Sequence, residues 1–179
     1  IDNVAPSIAS VAVPDNATYY AGNALNFSVN FNEAVVVDTT GGTPRISLVV
    51  GATTRYADYV SGSGTSSLLF AYTVPNGDID TNGIAVTALS TNGGLLEDLA
   101  GNTALTTLNN VGSTAGVNVD GTSPSIAQVT ASTADGAYGS GATITITVDF
   151  STEVVVDTSG GTPTLALDGG GSATYTGGS

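Results

Sequence analysis

The segment VVVDTTGGTP at 35–44 returns as VVVDTSGGTP at 154–163, with one Thr-to-Ser change. Phe31 answers to Phe150, so the period here is 150 − 31 = 119 residues. Upstream, DNVAPSIA (2–9) matches DGTSPSIA (120–127), and YYAGNAL (19–25) matches YGSGATI (138–144). Downstream, Tyr56 matches Tyr175. Self-similarity at a long fixed period means that one folding unit is repeated. The expected organisation is therefore a complete repeat over 1–119 and the first half of a second over 120–179. A half-repeat has no partner for its own apolar face. Either the array continues, or a strand from elsewhere completes the second unit. The chain begins at Ile1 rather than Met, which reads as an excerpt from something longer.

The repeat reads as β throughout. In LNFSVNF, Leu25, Phe27, Val29 and Phe31 alternate with polar residues, the period of a strand with one buried face. RISLVV, RYADYV, LLFAYTV and IAVTAL are further short runs separated by Gly, Asn, Asp and Pro. No window carries a helical stripe. Strands are expected at 7–13, 24–31, 45–50, 54–60, 66–74, 84–90 and about 105–119. Seven short strands in roughly 120 residues predict an all-β fold, an immunoglobulin-like β-sandwich without the Cys–Trp–Cys core of antibody domains.

Charge narrows the partners. Fifteen acidic residues face two arginines, Arg45 and Arg55, for a net charge of −13. Such a surface repels nucleic acid and anionic lipid. No run nears the ~20 apolar residues of a membrane span, so direct membrane insertion is not expected. His, Cys and Lys are absent, which removes the imidazole base, the thiolate, zinc sites and Schiff-base chemistry. An enzyme is not expected. The oxygen ligands that remain suit hard cations, calcium above all.

If successive strands alternate in direction, the acidic loops sort onto two poles. Asp2, Glu33, Asp38 and EDLAGN (97–102) fall at the pole where the repeat begins. Asp15, GDIDTNG (77–83) and Asp120 fall at the other, where the second unit would bring Glu153 and Asp157. Carboxylates ~4 Å apart repel by ~4 kcal/mol at an effective dielectric near 20, so a crowded junction without basic residues recruits a divalent cation or splays. Asp78, Asp80 and Asn82, followed by Gly83, have the alternating spacing that opens an EF-hand loop. Leu89 stands at its twelfth position and no helices flank it, so it is not an EF-hand. The loop binds calcium, or its side chains cap their own backbone. Asp98 and Asn102 are ligands, or belong to a turn at Gly101; Asp2 and Asp120 are ligands, or plain linker residues. Asp38 and Asp157 read as turn caps. Tyr19, Tyr20, Tyr56, Tyr59 and Tyr72 form a sugar-stacking surface or pack within the sheets.

Together VDGTSPSI, FNEAV, GDIDTNGIAV, LLEDLAGN and LNNVGSTAGVNVD resemble the bacterial immunoglobulin-like tandem repeats of giant type I-secreted surface adhesins of the RTX and Bap kinds. The resemblance spans the whole chain. It implies calcium-rigidified sandwiches strung end to end as an extender on the bacterial cell surface or in biofilm matrix, with neighbouring repeats as partners. It further implies that Glu33, Asp98, Asn102 and Asp2 serve one pole and Asp120 the next. In FSTEV the acid has moved one residue on, to Glu153, which in a strand faces the opposite side. Two other classes stand beside the extender. One is a filament or surface-layer subunit completed by strands from copies of itself; the other is a module binding surface or matrix glycans.

Overall fold

The computed structural model describes residues 2–178. Fourteen strands and no helix occur among them. The chain divides into two compact units between Ser123 and Pro124, a few residues beyond the boundary expected from the repeat.

In the first unit, β1 (Ile8–Ala12), β3 (Ala24–Asp38), β6 (Thr65–Thr73), β5 (Thr53–Ser61), β4 (Arg45–Val50) and β8 (Ala85–Ser90) follow one another across an antiparallel sheet. β9 (Leu95–Glu97) pairs with the far end of β3. A second sheet is built from β2 (Ala17–Tyr20), β10 (Val117–Asp120) and β7 (Ile79–Asp80). The cause is the period-two pattern. Leu25, Phe27, Val29 and Phe31 on β3 and Leu68, Phe70 and Tyr72 on β6 all point into one buried cluster, which Val117 and Val119 of β10 enter from the other sheet. Pro14 lies between β1 and β2 and offers no backbone donor. There the chain leaves the first sheet for the second, and β2 pairs with β10 in parallel.

The strand path differs from the two-sheet order of an immunoglobulin domain, in which the fourth and fifth strands face the third across the core. Here β5 pairs with β6 on one side and with β4 on the other. The strands depart from expectation in three ways. β3 continues to Asp38 through an irregular stretch between Asn30 and Val35. The strand expected over 105–119 is regular only from Val117. Short β2, β7 and β9 appear where loops were expected.

The second unit holds two separate hairpins, β11 (Ile126–Ala131) with β12 (Ile146–Phe150), and β13 (Thr164–Ala166) with β14 (Ser172–Thr174). The first hairpin repeats the β1–β3 pairing. Ile126 faces Phe150 as Ile8 faces Phe31, Val129 faces Val148 as Val11 faces Val29, and each copy has a register shift just after the first pair.

Candidate metal centre

Three acidic residues expected at the leading pole meet. The irregular stretch of β3 carries Glu33, and the pairing of Val36 with Glu97 sets β9 alongside, so Asp98 follows next to it. Asp2 arrives from the leading segment. One carboxylate oxygen from each of Asp2, Glu33 and Asp98 lies within 4.8 Å of the others. They line an open depression of about 360 Å³ with Ala34, Leu99 and Ala100.

The Asp98 loop is ordered by its own side chains. Asp98 Oδ1 accepts the backbone N–H of Ala100 (2.8 Å) and of Asn102 (2.9 Å), while Oδ2 accepts the Asn102 amide (2.7 Å). Gly101 takes φ +86°, a conformation glycine adopts freely, which closes the turn. The side-chain bond from Asn102, with the backbone bonds behind it, holds the Asp98 carboxyl below the usual carboxylate range. The Asn102 amide also donates to the Asp2 carbonyl (3.2 Å). Asn102 thus orients two members of the group through its amide N–H₂, and ligation by Asn102 would fall to its Oδ1. The chain's two basic side chains are used elsewhere: Arg45 lies over the Tyr56 ring at 3.8 Å, and Arg55 pairs with Asp78. The result is an anionic, oxygen-only cup on a fixed loop, a donor set suited to a hard divalent cation.

The GDIDTNG loop is arranged otherwise. Asp78 is buried, and its carboxylate accepts hydrogen bonds from the Arg55 guanidinium and from the Tyr72 hydroxyl. The Arg55 bond holds the Asp78 carboxyl below its usual range, and burial raises the Tyr72 hydroxyl. A basic residue therefore sits where the sequence predicted none, and Asp78 already has its counter-cation. Asp80 Oδ2 accepts the Gly51 N–H (2.7 Å) and Oδ1 the Asn82 N–H (3.2 Å). Asn82 is exposed. Asp120 pairs with Ile79 across β10 and β7, and its Oδ1 accepts the Thr122 N–H (3.0 Å). Here the side chains cap and clamp their own unit. Glu153 is exposed in the second unit. Among the described residues, Asp78, Asp80, Asp120 and Glu153 join no cluster of three acidic groups.

Asp38 and Asp157 cap turns as expected, accepting the N–H of Thr40 and of Ser159 at 2.8 Å in the two copies. The five tyrosines of the first repeat do not share a surface: Tyr72 is buried, Tyr59 packs edge-on against Phe70, and the Tyr19 hydroxyl donates to the Asp15 carbonyl. Compared with family models, with curated proteins and with solved structures, the chain gives no match.

Proposed function

We infer that the first unit is an immunoglobulin-like extender repeat of an extracellular bacterial adhesin, stiffened by calcium at its leading pole. The observation that carries this reading is the meeting of Asp2, from the segment ahead of β1, with Glu33 and Asp98 on the body of the sandwich. A divalent cation held by those three carboxylates would cross-link the leading segment to the unit and fix the direction from which the preceding chain arrives. It would also relieve the repulsion between the carboxylates and so add to the hold that the Asn102 amide already has on the Asp2 carbonyl. The placing of β1 in one sheet and β2 in the other supports a two-sheet sandwich, with a strand path that departs from the immunoglobulin order. The repeat supports an array, and calcium is abundant outside cells, where such an array would work. The resemblance of its motifs to type I-secreted adhesin repeats points the same way.

The test is a calcium titration of the chain, followed by differential scanning calorimetry and small-angle scattering. Calcium at millimolar concentration should raise the melting temperature by several degrees, EGTA should reverse the rise, and Glu33→Gln or Asp98→Asn should abolish it. Melting and scattering profiles that ignore both calcium and EGTA would refute the reading.

A further inference from the structure

One repeat position is held in two different ways. Asp2 and Asn3, ahead of β1, answer to Asp120 and Gly121, at and just after the end of β10. Asp2 is held by the Asn102 amide, whereas Gly121 is gripped by the loop that carries Asp78. The Gly121 N–H donates to the Asp78 carbonyl (2.7 Å), and the Gly121 carbonyl accepts the Gly77 N–H (2.8 Å). These bonds continue the pairing of β10 with β7 past Asp120. Gly121 is buried, and a Cβ there would overlap the Pro75 carbonyl oxygen and lie 2.9 Å from that of Asp78. Only glycine permits so close an approach of two backbones. The gripping loop is in turn anchored to the other sheet. The Asp78 carboxylate accepts from Arg55 Nε on β5 (2.7 Å) and from the Tyr72 hydroxyl on β6, and Asp80 accepts the Gly51 N–H between β4 and β5 (2.7 Å).

We propose that Asp78 and Asp80 are the positioning residues of a latch made wholly of protein, which fixes the trailing linker of the first unit at Gly121. The two carboxylates give the loop a footing on β4, β5 and β6 of the first sheet, and the loop passes that hold to the end of β10 in the second. Charge makes the footing firm. Hydrogen bonds to an ionised carboxylate are stronger than neutral ones, and opening the loop would leave the buried Asp78 without its counter-charge. The trailing linker is therefore set by Arg55, Tyr72 and Gly51 and needs no cation. The leading segment differs, since its own acid, Asp2, faces Glu33 and Asp98. Calcium thus acts at one end of the unit and leaves the other as it is. The latch does not rest on the calcium reading, because each of its bonds is made by the chain itself.

The experiment follows amide hydrogen exchange in the whole chain by NMR, in calcium and in EGTA. In the parent, the Gly77 and Gly121 amides should be protected to the same degree in both. Asp78→Asn removes the charge at nearly the same shape and should speed exchange of both amides by roughly tenfold or more, while the central amides of β3 keep their protection. Gly121→Ala should speed the Gly77 amide in the same way with the Arg55 pair intact. Three outcomes would overturn the proposal: fast exchange at Gly77 and Gly121 in the parent; protection there that EGTA removes, which would assign the linker to a cation; or no change at either amide in Asp78→Asn. The first two need no variant, so the proposal can fail even if a substituted chain does not fold. The calcium reading fails separately, when the amides from Asp98 to Asn102 ignore calcium and EGTA alike.

Discussion

Phe31 and Phe150 hold the same place in two copies of one sequence, so truncating each to alanine compares burial with chemistry held constant. They differ by 42 − 5 = 37 percentage points of exposure. On a phenylalanine side chain of roughly 200 Å² that is about 75 Å², worth about 2 kcal/mol of transfer free energy. Phe31→Ala also leaves a cavity inside a cluster closed by strands of both sheets, whose neighbours relax only partly. Its total cost should be about 3–5 kcal/mol. Phe150→Ala opens no cavity and should cost about 1 kcal/mol or less. For a unit of this size each kcal/mol lowers the melting temperature by about 3–6 °C. Phe31→Ala should therefore lower the main transition by ~9–30 °C, while Phe150→Ala lowers it by ~6 °C or less. Circular dichroism at a strand wavelength, with calorimetry to count transitions, measures both. Equal losses from the two substitutions would refute the reasoning, because Phe150 would then be contributing to a closed core.

Other perturbations probe other parts. Tyr72→Phe removes one buried donor to the Asp78 carboxylate and should cost about 1.5–3 kcal/mol in urea unfolding; a loss below about 0.5 kcal/mol would mean that Arg55 alone satisfies Asp78. Asp78 and Asp98 are held below the ordinary carboxylate range when folded, so they bind protons more readily when unfolded. The stability they contribute is complete above the unfolded value near about 3.9 and is lost as pH falls through the depressed folded values. The urea midpoint should stay level from neutrality to about pH 5 and fall steeply below about pH 4; a midpoint that rises on acidification would contradict the assignment. Gly83 and Gly77 both take positive φ, at +95° and +91°, but a Cβ on Gly83 would lie 2.4 Å from the Thr114 carbonyl oxygen, while one on Gly77 meets nothing. Gly83→Ala should thus cost more than Gly77→Ala, by roughly 1–3 kcal/mol in thermal unfolding.

The long alternating strands were legible because their signal is local. Leu25 to Phe31, the β4–β5 hairpin and β6 announce themselves by period, and β4 lies where the sequence placed it, at Arg45–Val50. Short strands were not legible, because partners make them. Ile79–Asp80 is a strand only because β10 lies beside it, and the stretch that names the loop GDIDTNG gives no hint of that pairing. The meeting of Asp2, Glu33 and Asp98 followed from counting strand directions, which sort loops by pole without requiring a distance. The counter-cation of Asp78 escaped the same count. Arg55 lies 23 residues earlier on β5, and a sorting of loops by pole tracks the ends of strands rather than a long side chain reaching from within one. The departures around 105–119 have a local cause as well: Gly112 and Gly116 interrupt any alternation before Val117.

The parallel pairing of β2 with β10 also has a mechanical meaning. β2 stands near the start of the unit and β10 at its end, and the two run in the same direction through four matched pairs, Ala17 with Val117 to Tyr20 with Asp120. Tension applied through the two ends of the unit pulls these strands past each other lengthwise. The ladder is then loaded in shear, with its hydrogen bonds sharing the force together, rather than peeled open one rung at a time. Resistance to stretching is thereby concentrated in one short seam where the second and last strands of the unit lie side by side.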